Sequence, residues 1–304
     1  MNDKKILVVV DPRSDDQPAV ERAAWLAQEL SADLELFICD YDPDIDAGRV
    51  ATIWIDEPAR DHLLSILRNK LESLAAPIRE RGLEVSVDVA WDHPLDAGIL
   101  RKIFRAEPWL VVKDTHHHSV LKRTILSNTD WELIRRCPAP LLLVKPTPMA
   151  DPFKVLAAVD PSHSHDKPAD LDHKILELAT TLVEEARGEL HVLHSYFVPI
   201  ELNVPDPEKI GAVIEDVERE HREDLDSFLE NYPIEKDHCP LVRGPAHEKL
   251  PEFAAKQSIG IVVMGAVSRR GLDKVFIGST AERILDHLSC DVLVVKRGTV
   301  AEPD

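Results

Sequence analysis

The sequence predicts an α/β protein built as two tandem doubly wound domains, each a parallel sheet with helices on both faces. Three observations carry this. First, the chain repeats itself. Lys-Ile-Leu-Val-Val-Val-Asp at 5–11 and Lys-Val-Leu-Ala-Ala-Val-Asp at 154–160 each end in an aspartate followed by proline; Leu-Leu-Leu-Val-Lys at 141–145 and Val-Leu-Val-Val-Lys at 292–296 match near the end of each half. Both pairs lie about 150 residues apart, the size of one domain. Second, these apolar runs do not alternate with polar residues, as expected of strands covered on both faces. Third, such runs alternate with stretches of helical period, which gives βαβ units with right-handed crossovers. Ligands of such sheets bind beyond the carboxyl ends of the strands, where strand order reverses.

The domains are expected at 1–146 and 153–304, joined by 147–152; three prolines between Lys145 and Pro152 stiffen that joint and stop a strand from continuing. In the first half, helices are expected over 19–30, about Leu63, Leu67, Leu71, Leu74 and Ile78, and over 97–104 and 129–136. The leucines recur at three and four, one face of a 3.6-residue period. Strands are expected at 5–11, 32–40, 83–91, 109–112 and 141–144, with a loop over 41–58. In the second half the helices fall at 171–186, along Ile210, Val213, Val217, His221, Asp224 and Phe228, at 247–256 and from Ser279. The strands fall at 154–160, 189–196, 237–244, 259–264 and 292–296.

The 304 residues carry a net charge of −19, which argues against a nucleic-acid or anionic-membrane surface because a phosphate backbone would be repelled. Four cysteines, Cys39, Cys137, Cys239 and Cys290, stand singly, as buried thiols of a reducing compartment do. No apolar run approaches a membrane span, and the apolar part of the N-terminus is short for a signal peptide. The expected location is the cytoplasm.

The stretch Gly265–Leu285 is the strongest functional signal. Three glycines, Gly265, Gly271 and Gly278, punctuate a loop that leaves a strand and feeds a helix near Ser279. The free N–H groups of a helix start favour an anion, and glycines let the backbone approach a phosphate. Arg269, Arg270 and Lys274 make the loop locally basic. Ser279 and Glu282 also have the spacing of a capping box, which by itself explains a helix start. His116 and His118, after the fourth strand of the first half, and His163 and His165, after Asp160, have the His-x-His spacing of a divalent metal site such as zinc; solvated loop histidines are the plainer reading. No Gly-x-Ser-x-Gly, Gly-x4-Gly-Lys-Ser/Thr or His-Glu-x2-His occurs in the sequence.

Gly265-x2-Ser268-x9-Gly278-Ser279 resembles the Gly-x2-Gly-x9-Gly-Ser/Thr signature of the universal stress protein family, and the run ending in Asp160 resembles that family's first strand. The resemblance covers both halves, and Lys113–His118 with Thr129-Asp-Trp131 resembles the E subclass of tandem bacterial members. It implies a five-stranded parallel sheet of order 3-2-1-4-5 in each half and ATP as ligand. Gly265, Ser268, Gly271, Gly278, Ser279 and Thr280 would hold phosphates, with Asp160 near the adenosine. It also implies pairing through the last strands, within the chain as a pseudo-dimer or between chains as a homodimer. Two departures stand out. The family's second glycine is Ser268 here. In the first half, Lys113 is read opposite Gly265, His116 opposite Ser268 and Ser127-Asn128 opposite Gly278-Ser279, so that half is expected to have lost the nucleotide site. The function expected is a stress-response regulator or interaction module that binds nucleotide in its second domain. The alternatives are a scaffold that binds an apolar small molecule or lipid without nucleotide, and a slow ATPase.

Overall fold

The computed structural model describes residues 4–46, 59–118, 123–163, 170–198, 207–265 and 277–296. They form two compact units, the first running to Thr147 and the second beginning at Pro148.

In the first unit the elements follow as β1 (Lys5–Val9), α1 (Pro18–Glu29), β2 (Asp33–Asp40), α2 (Pro43–Asp46), α3 (Ala59–Glu80), β3 (Val85–Trp91), α4 (Leu95–Ala106), β4 (Leu110–Asp114), β5 (His116–His118), β6 (Arg123–Ile125), α5 (Asn128–Arg136) and β7 (Leu141–Val144). Parallel pairing gives the sheet order β3-β2-β1-β4-β7, which is 3-2-1-4-5 for its five strands. Ile6, Leu7 and Val8 of the central strand are fully buried, which is why their run is apolar without alternation. Helix α1 packs on the sheet through Ala19, Ala23, Ala24 and Ala27, small residues that let the helix lie close. Helix α3 buries Leu67, Leu71, Ala75 and Ile78, each large side chain worth roughly 1.5–3 kcal/mol against exposure.

The second unit repeats the plan with β8 (Lys154–Ala158), a 3-10 turn at Pro161–His163, α6 (Leu171–Ala186), β9 (Glu189–Tyr196), α7 (Pro207–Leu229), β10 (Leu241–Arg243), α8 (Ala246–Gln257), β11 (Ile261–Gly265), α9 (Ser279–His287) and β12 (Asp291–Val295). Its parallel order is β10-β9-β8-β11-β12, again 3-2-1-4-5. In both units strand order reverses between the first and fourth strands. The carboxyl ends of β1 and β4, and of β8 and β11, are therefore where a ligand crevice belongs.

Three elements differ from the sequence reading. Strand β10 is three residues long rather than eight, because Pro240 cannot donate to a ladder and Lys236–His238 coil into a 3-10 turn. The loop after β2 contains the short helix α2, whose N–H groups at Asp44 and Ile45 donate to Asp42 Oδ1. The segment after β4 enters an antiparallel hairpin, with His116 opposite Ile125 and His118 opposite Arg123. In the joining stretch, Thr147 O accepts a 2.6 Å bond from Arg22 in the first unit, and Met149 and Ala150 lie over Gly260 in the second.

Candidate functional site

The two crevices can be superposed residue by residue through strand register. Ile6 pairs with Leu110 in the first unit, and Val155, its equivalent in the repeat, pairs with Ile261 in the second. Counting on four positions puts Asp114, not Lys113, where Gly265 stands. The last strands agree: Asp114 pairs with Val144 and Gly265 with Val295, each the residue before the lysine that closes its repeat. The sequence reading that set Lys113 opposite Gly265 and His116 opposite Ser268 is one residue out. With the correction, Asp114 to Ser127 and Gly265 to Gly278 have the same spacing, and Ser127 and Gly278 are both N-caps.

The first unit fills its crevice with its own charged groups. Asp114 Oδ1 accepts a 2.6 Å bond from Ala19 N, in the first turn of α1, a helix that has no side-chain cap of its own at Gln17. The other oxygen, Oδ2, is buried without a hydrogen-bond partner among the described residues. Burial is the main reason the Asp114 carboxyl is pushed up to about 7; the Ala19 N–H and Lys113 pull it back in part. Lys113 turns its ammonium to Asp130, with Nζ 2.7 Å from Oδ1, and Asp130 is completely buried. The second oxygen of Asp130 accepts from Ser127 N at 2.7 Å while Ser127 Oγ accepts from Asp130 N at 3.1 Å, a closed capping box at the start of α5. The loop after β1 is stitched as well. Lys70 donates to Pro12 O and Ser14 O, and Gln17 donates to Asp11 O.

The second unit leaves the equivalent positions bare. At Gly278 an added Cβ would meet nothing within 4 Å among the described residues, and α9 starts there without a side-chain cap. The capping box expected between Ser279 and Glu282 is not formed: the N-cap is Gly278, one residue earlier, so Ser279 lies inside the helix and cannot cap it. Ser279 and Thr280 are both exposed in that first turn. Gly265 has a packing role among the described residues. A Cβ there would lie 2.7 Å from Leu171 Cδ2, so its bareness lets α6 close on β11. Gly265→Ala is therefore expected to cost the second unit about 1–3 kcal/mol, read as a lower thermal midpoint by far-ultraviolet circular dichroism. Asp160 follows β8 with its side chain 45% exposed, and its N–H points to Asp172 Oδ1 at 3.4 Å.

Ser268 and Gly271 lie outside the described residues, as do Arg269, Arg270, Lys274 and His165. The backbone of His116 and His118 forms β5 and that of His163 ends the 3-10 turn; their side chains are outside the described set. Among the described residues no group of three or more His, Cys, Asp or Glu is arranged to hold a metal ion. All four cysteines are buried and reduced, and burial above all pushes the thiols of Cys39 and Cys239 up to about 12 and about 11. No described helix is long and apolar enough to cross a membrane. A cavity of about 390 Å³ beside the end of α7 is lined by Arg222, Asp226, Glu230 and Lys236 together with Leu229, Ile234 and Cys239.

Sequence reasoning missed the Asp114–Ala19 and Lys113–Asp130 contacts, whose partners stand far apart in the chain. It also missed His194 and Ser162, which sit next to Asp160. His221 had a signal: it interrupts the otherwise largely apolar stripe of α7.

Two units, each with parallel strands in the order 3-2-1-4-5, define a tandem doubly wound α/β protein. The sequence profile of the universal stress protein family matches residues 3–145 and again 153–296, so the chain belongs to that family. It is 30% identical over 296 residues to universal stress protein E of Escherichia coli K12, covering 96% of this chain and 94% of that one. Universal stress protein E of Photorhabdus laumondii is 27% identical over 97% of this chain and 95% of its own length. Among solved structures, a functionally unknown protein from Pseudomonas aeruginosa PAO1 superposes with a TM-score of 0.74 at 28% identity, covering 96% of this chain and 92% of that one. A universal stress protein from Archaeoglobus fulgidus has been solved with dAMP. It covers 48% of this chain and 100% of its own at 16% identity and a TM-score of 0.33, and at that distance its ligand is a property of that protein.

Proposed function

We propose that the second unit binds ATP or a related nucleotide, that the first unit does not, and that the protein acts as a nucleotide-responsive regulator in the cytoplasm. The supporting observation is the contrast between two equivalent helix starts. At α5, Ser127 Oγ accepts from the first-turn N–H of Asp130, and the Asp130 carboxylate closes the box by accepting from Ser127 N. At α9 the N-cap is Gly278, with no described atom within 4 Å of where its side chain would be and two exposed hydroxyls beside it. An anion is what such a helix start accepts.

In this reading Gly278, Ser279 and Thr280 hold the phosphates and Asp160 meets the adenosine. Gly265 permits the close packing of α6 that shapes the crevice floor. Ser268 and Gly271 belong to the covering loop. In the first unit the Asp130–Lys113 pair and the Asp114–Ala19 hydrogen bond already occupy the helix starts where a phosphate would lie. Isothermal titration of the full chain with ATP is expected to give one site per chain. Two sites would contradict the reading of the first unit, and none would contradict that of the second. A phosphate-release assay on the same sample tests for slow hydrolysis.

A further inference from the structure

The crevice side of the second unit also holds a cluster that the nucleotide reading does not use. Ser162, in the turn after β8, places Oγ 3.4 Å from Nε2 of His194 and 2.9 Å from Nδ1 of His221. His194 lies on β9 and is fully buried; His221 comes from α7 and is half-buried. The other nitrogen of His194, Nδ1, is 3.2 Å from Val159 O and 3.7 Å from Asp160 Oδ1. A carbonyl and a carboxylate only accept, so Nδ1 carries the hydrogen and the neutral ring turns the lone pair of Nε2 outward. That lone pair faces Ser162 Oγ and His221 Nδ1, the latter at 2.8 Å. Two ring nitrogens so close need a hydrogen between them. His221 Nδ1–H supplies it and also reaches Ser162 Oγ at 2.9 Å, so the single lone pair of His194 Nε2 becomes open to the serine hydrogen when the His221 N–H turns wholly to Ser162 Oγ.

The order is carboxylate, imidazole, hydroxyl. The Val159 carbonyl fixes the ring with the Asp160 carboxylate 3.7 Å away, the ring takes the serine proton, and the serine lies at the rim of the crevice, half-buried beside a half-exposed Asp160. Separations of 3.4 and 3.7 Å are those of a site at rest, which tighten when substrate binds.

We propose that Ser162 is a nucleophile for acyl transfer from small esters, with His194 as its general base and Asp160 and His221 as positioning residues. The His221 Nδ1–H turns from His194 Nε2 to Ser162 Oγ, and Ser162 Oγ attacks the ester carbonyl carbon while its own hydrogen passes to the freed Nε2. The C–O bond to the leaving group breaks and the alcohol departs with that hydrogen. Water then attacks the acyl-serine, giving its proton to His194; the carboxylic acid leaves and the serine recovers its hydrogen. The imidazolium formed in each half is stabilised by the Asp160 carboxylate. The proposal shares only Asp160 with the nucleotide reading and stands or falls apart from it.

The test is covalent labelling of the full chain with a fluorophosphonate at pH 8, located by peptide mass mapping. One adduct is expected, on Ser162. It disappears in Ser162→Ala and forms about 100-fold more slowly in His194→Gln, the size of a general-base contribution. In Asp160→Asn the midpoint of the rate–pH profile moves to lower pH, because a carboxylate beside the imidazole favours its charged form; a structural role alone would not move it. If His194→Gln fails to fold, Ser162→Cys decides. Its thiol is expected to react with iodoacetamide ahead of the four native cysteines, all of which are buried. An adduct that persists in Ser162→Ala overturns the proposal. So does a wild type that remains unlabelled at Ser162.

Discussion

Asp130→Ala is expected to lower the stability of the first unit by about 3–5 kcal/mol, the cost of removing one partner from a buried ion pair. Two losses coincide. Lys113, with 11% of its side chain exposed, keeps an ammonium that has lost its carboxylate 2.7 Å away. Helix α5 loses the capping box that Asp130 closes with Ser127, itself worth about 1 kcal/mol. The measurement is simple because all five tryptophans, at 25, 54, 91, 109 and 131, fall in the first half, so their fluorescence in urea reports that unit by itself. A second variant separates pair from packing. Lys113→Met combined with Asp130→Leu removes both charges and is expected to recover part of the loss. An Asp130→Ala midpoint unchanged from wild type would show that the ion pair is not buried as described.

Asp114→Asn carries the second large effect, and it depends on pH. The carboxyl titrates at about 7 in the folded chain against an ordinary 3.8, so between those values the folded state holds a proton that the unfolded state has released. Stability therefore falls as pH rises from 4 to 7 and stays lower above it. Below pH 4 the residue is neutral in both states and costs nothing. Asparagine cannot ionise, and its side-chain oxygen can still accept from Ala19 N. Asp114→Asn is thus expected to match wild type near pH 4 and to exceed it by roughly 2–4 kcal/mol at pH 8. The tryptophan-detected urea midpoint at the two pH values checks this. A wild type that gains on the variant as pH rises would mean that the ionised carboxylate is the favoured form.

Together these groups show what duplication has done to one copy. The first unit has placed carboxylates of its own at the helix starts that the fold offers to an anion, Asp114 at α1 and Asp130 at α5. The second has Gly265 where Asp114 stands, Ala281 where Asp130 stands, and Gly278 where the first has its N-cap Ser127. One of these glycines is held by packing and the other has no described atom within 4 Å of where its side chain would be.

Much of the fold was legible in the sequence because it rests on local pattern. The apolar runs at 5–9 and 154–158 mark central strands buried on both faces. The spacing of Leu67, Leu71 and Ile78 marks the inner face of α3. What was not legible depends on partners far along the chain. A capping box between Ser279 and Glu282 has the right spacing, yet the helix begins with Gly278 as cap; spacing alone does not say which residue leaves the helix first. The one-residue slip at Lys113 arose from matching loops by residue type, and only strand register, set by β1 and β8, corrects it. Strand β10 was overestimated because its outer residues read as strand until Pro240 and the neighbouring 3-10 turn are placed. The Ser162–His194–His221 cluster joins a turn, a strand and a helix, and no short motif records it.

The central claim, an anion seat at α9 and none at α5, is tested most directly by titrating ATP into full-length Gly278→Asp. Aspartate is among the best N-cap residues and no described atom lies within 4 Å of where its Cβ would be, so the helix is expected to be at least as stable as before. Its carboxylate, however, takes the place of the phosphate. The account predicts that ATP binding is lost in Gly278→Asp and unchanged in Ser127→Asp, the same substitution at the matching position of the first unit. Undiminished binding in Gly278→Asp, or loss in Ser127→Asp instead, would contradict it.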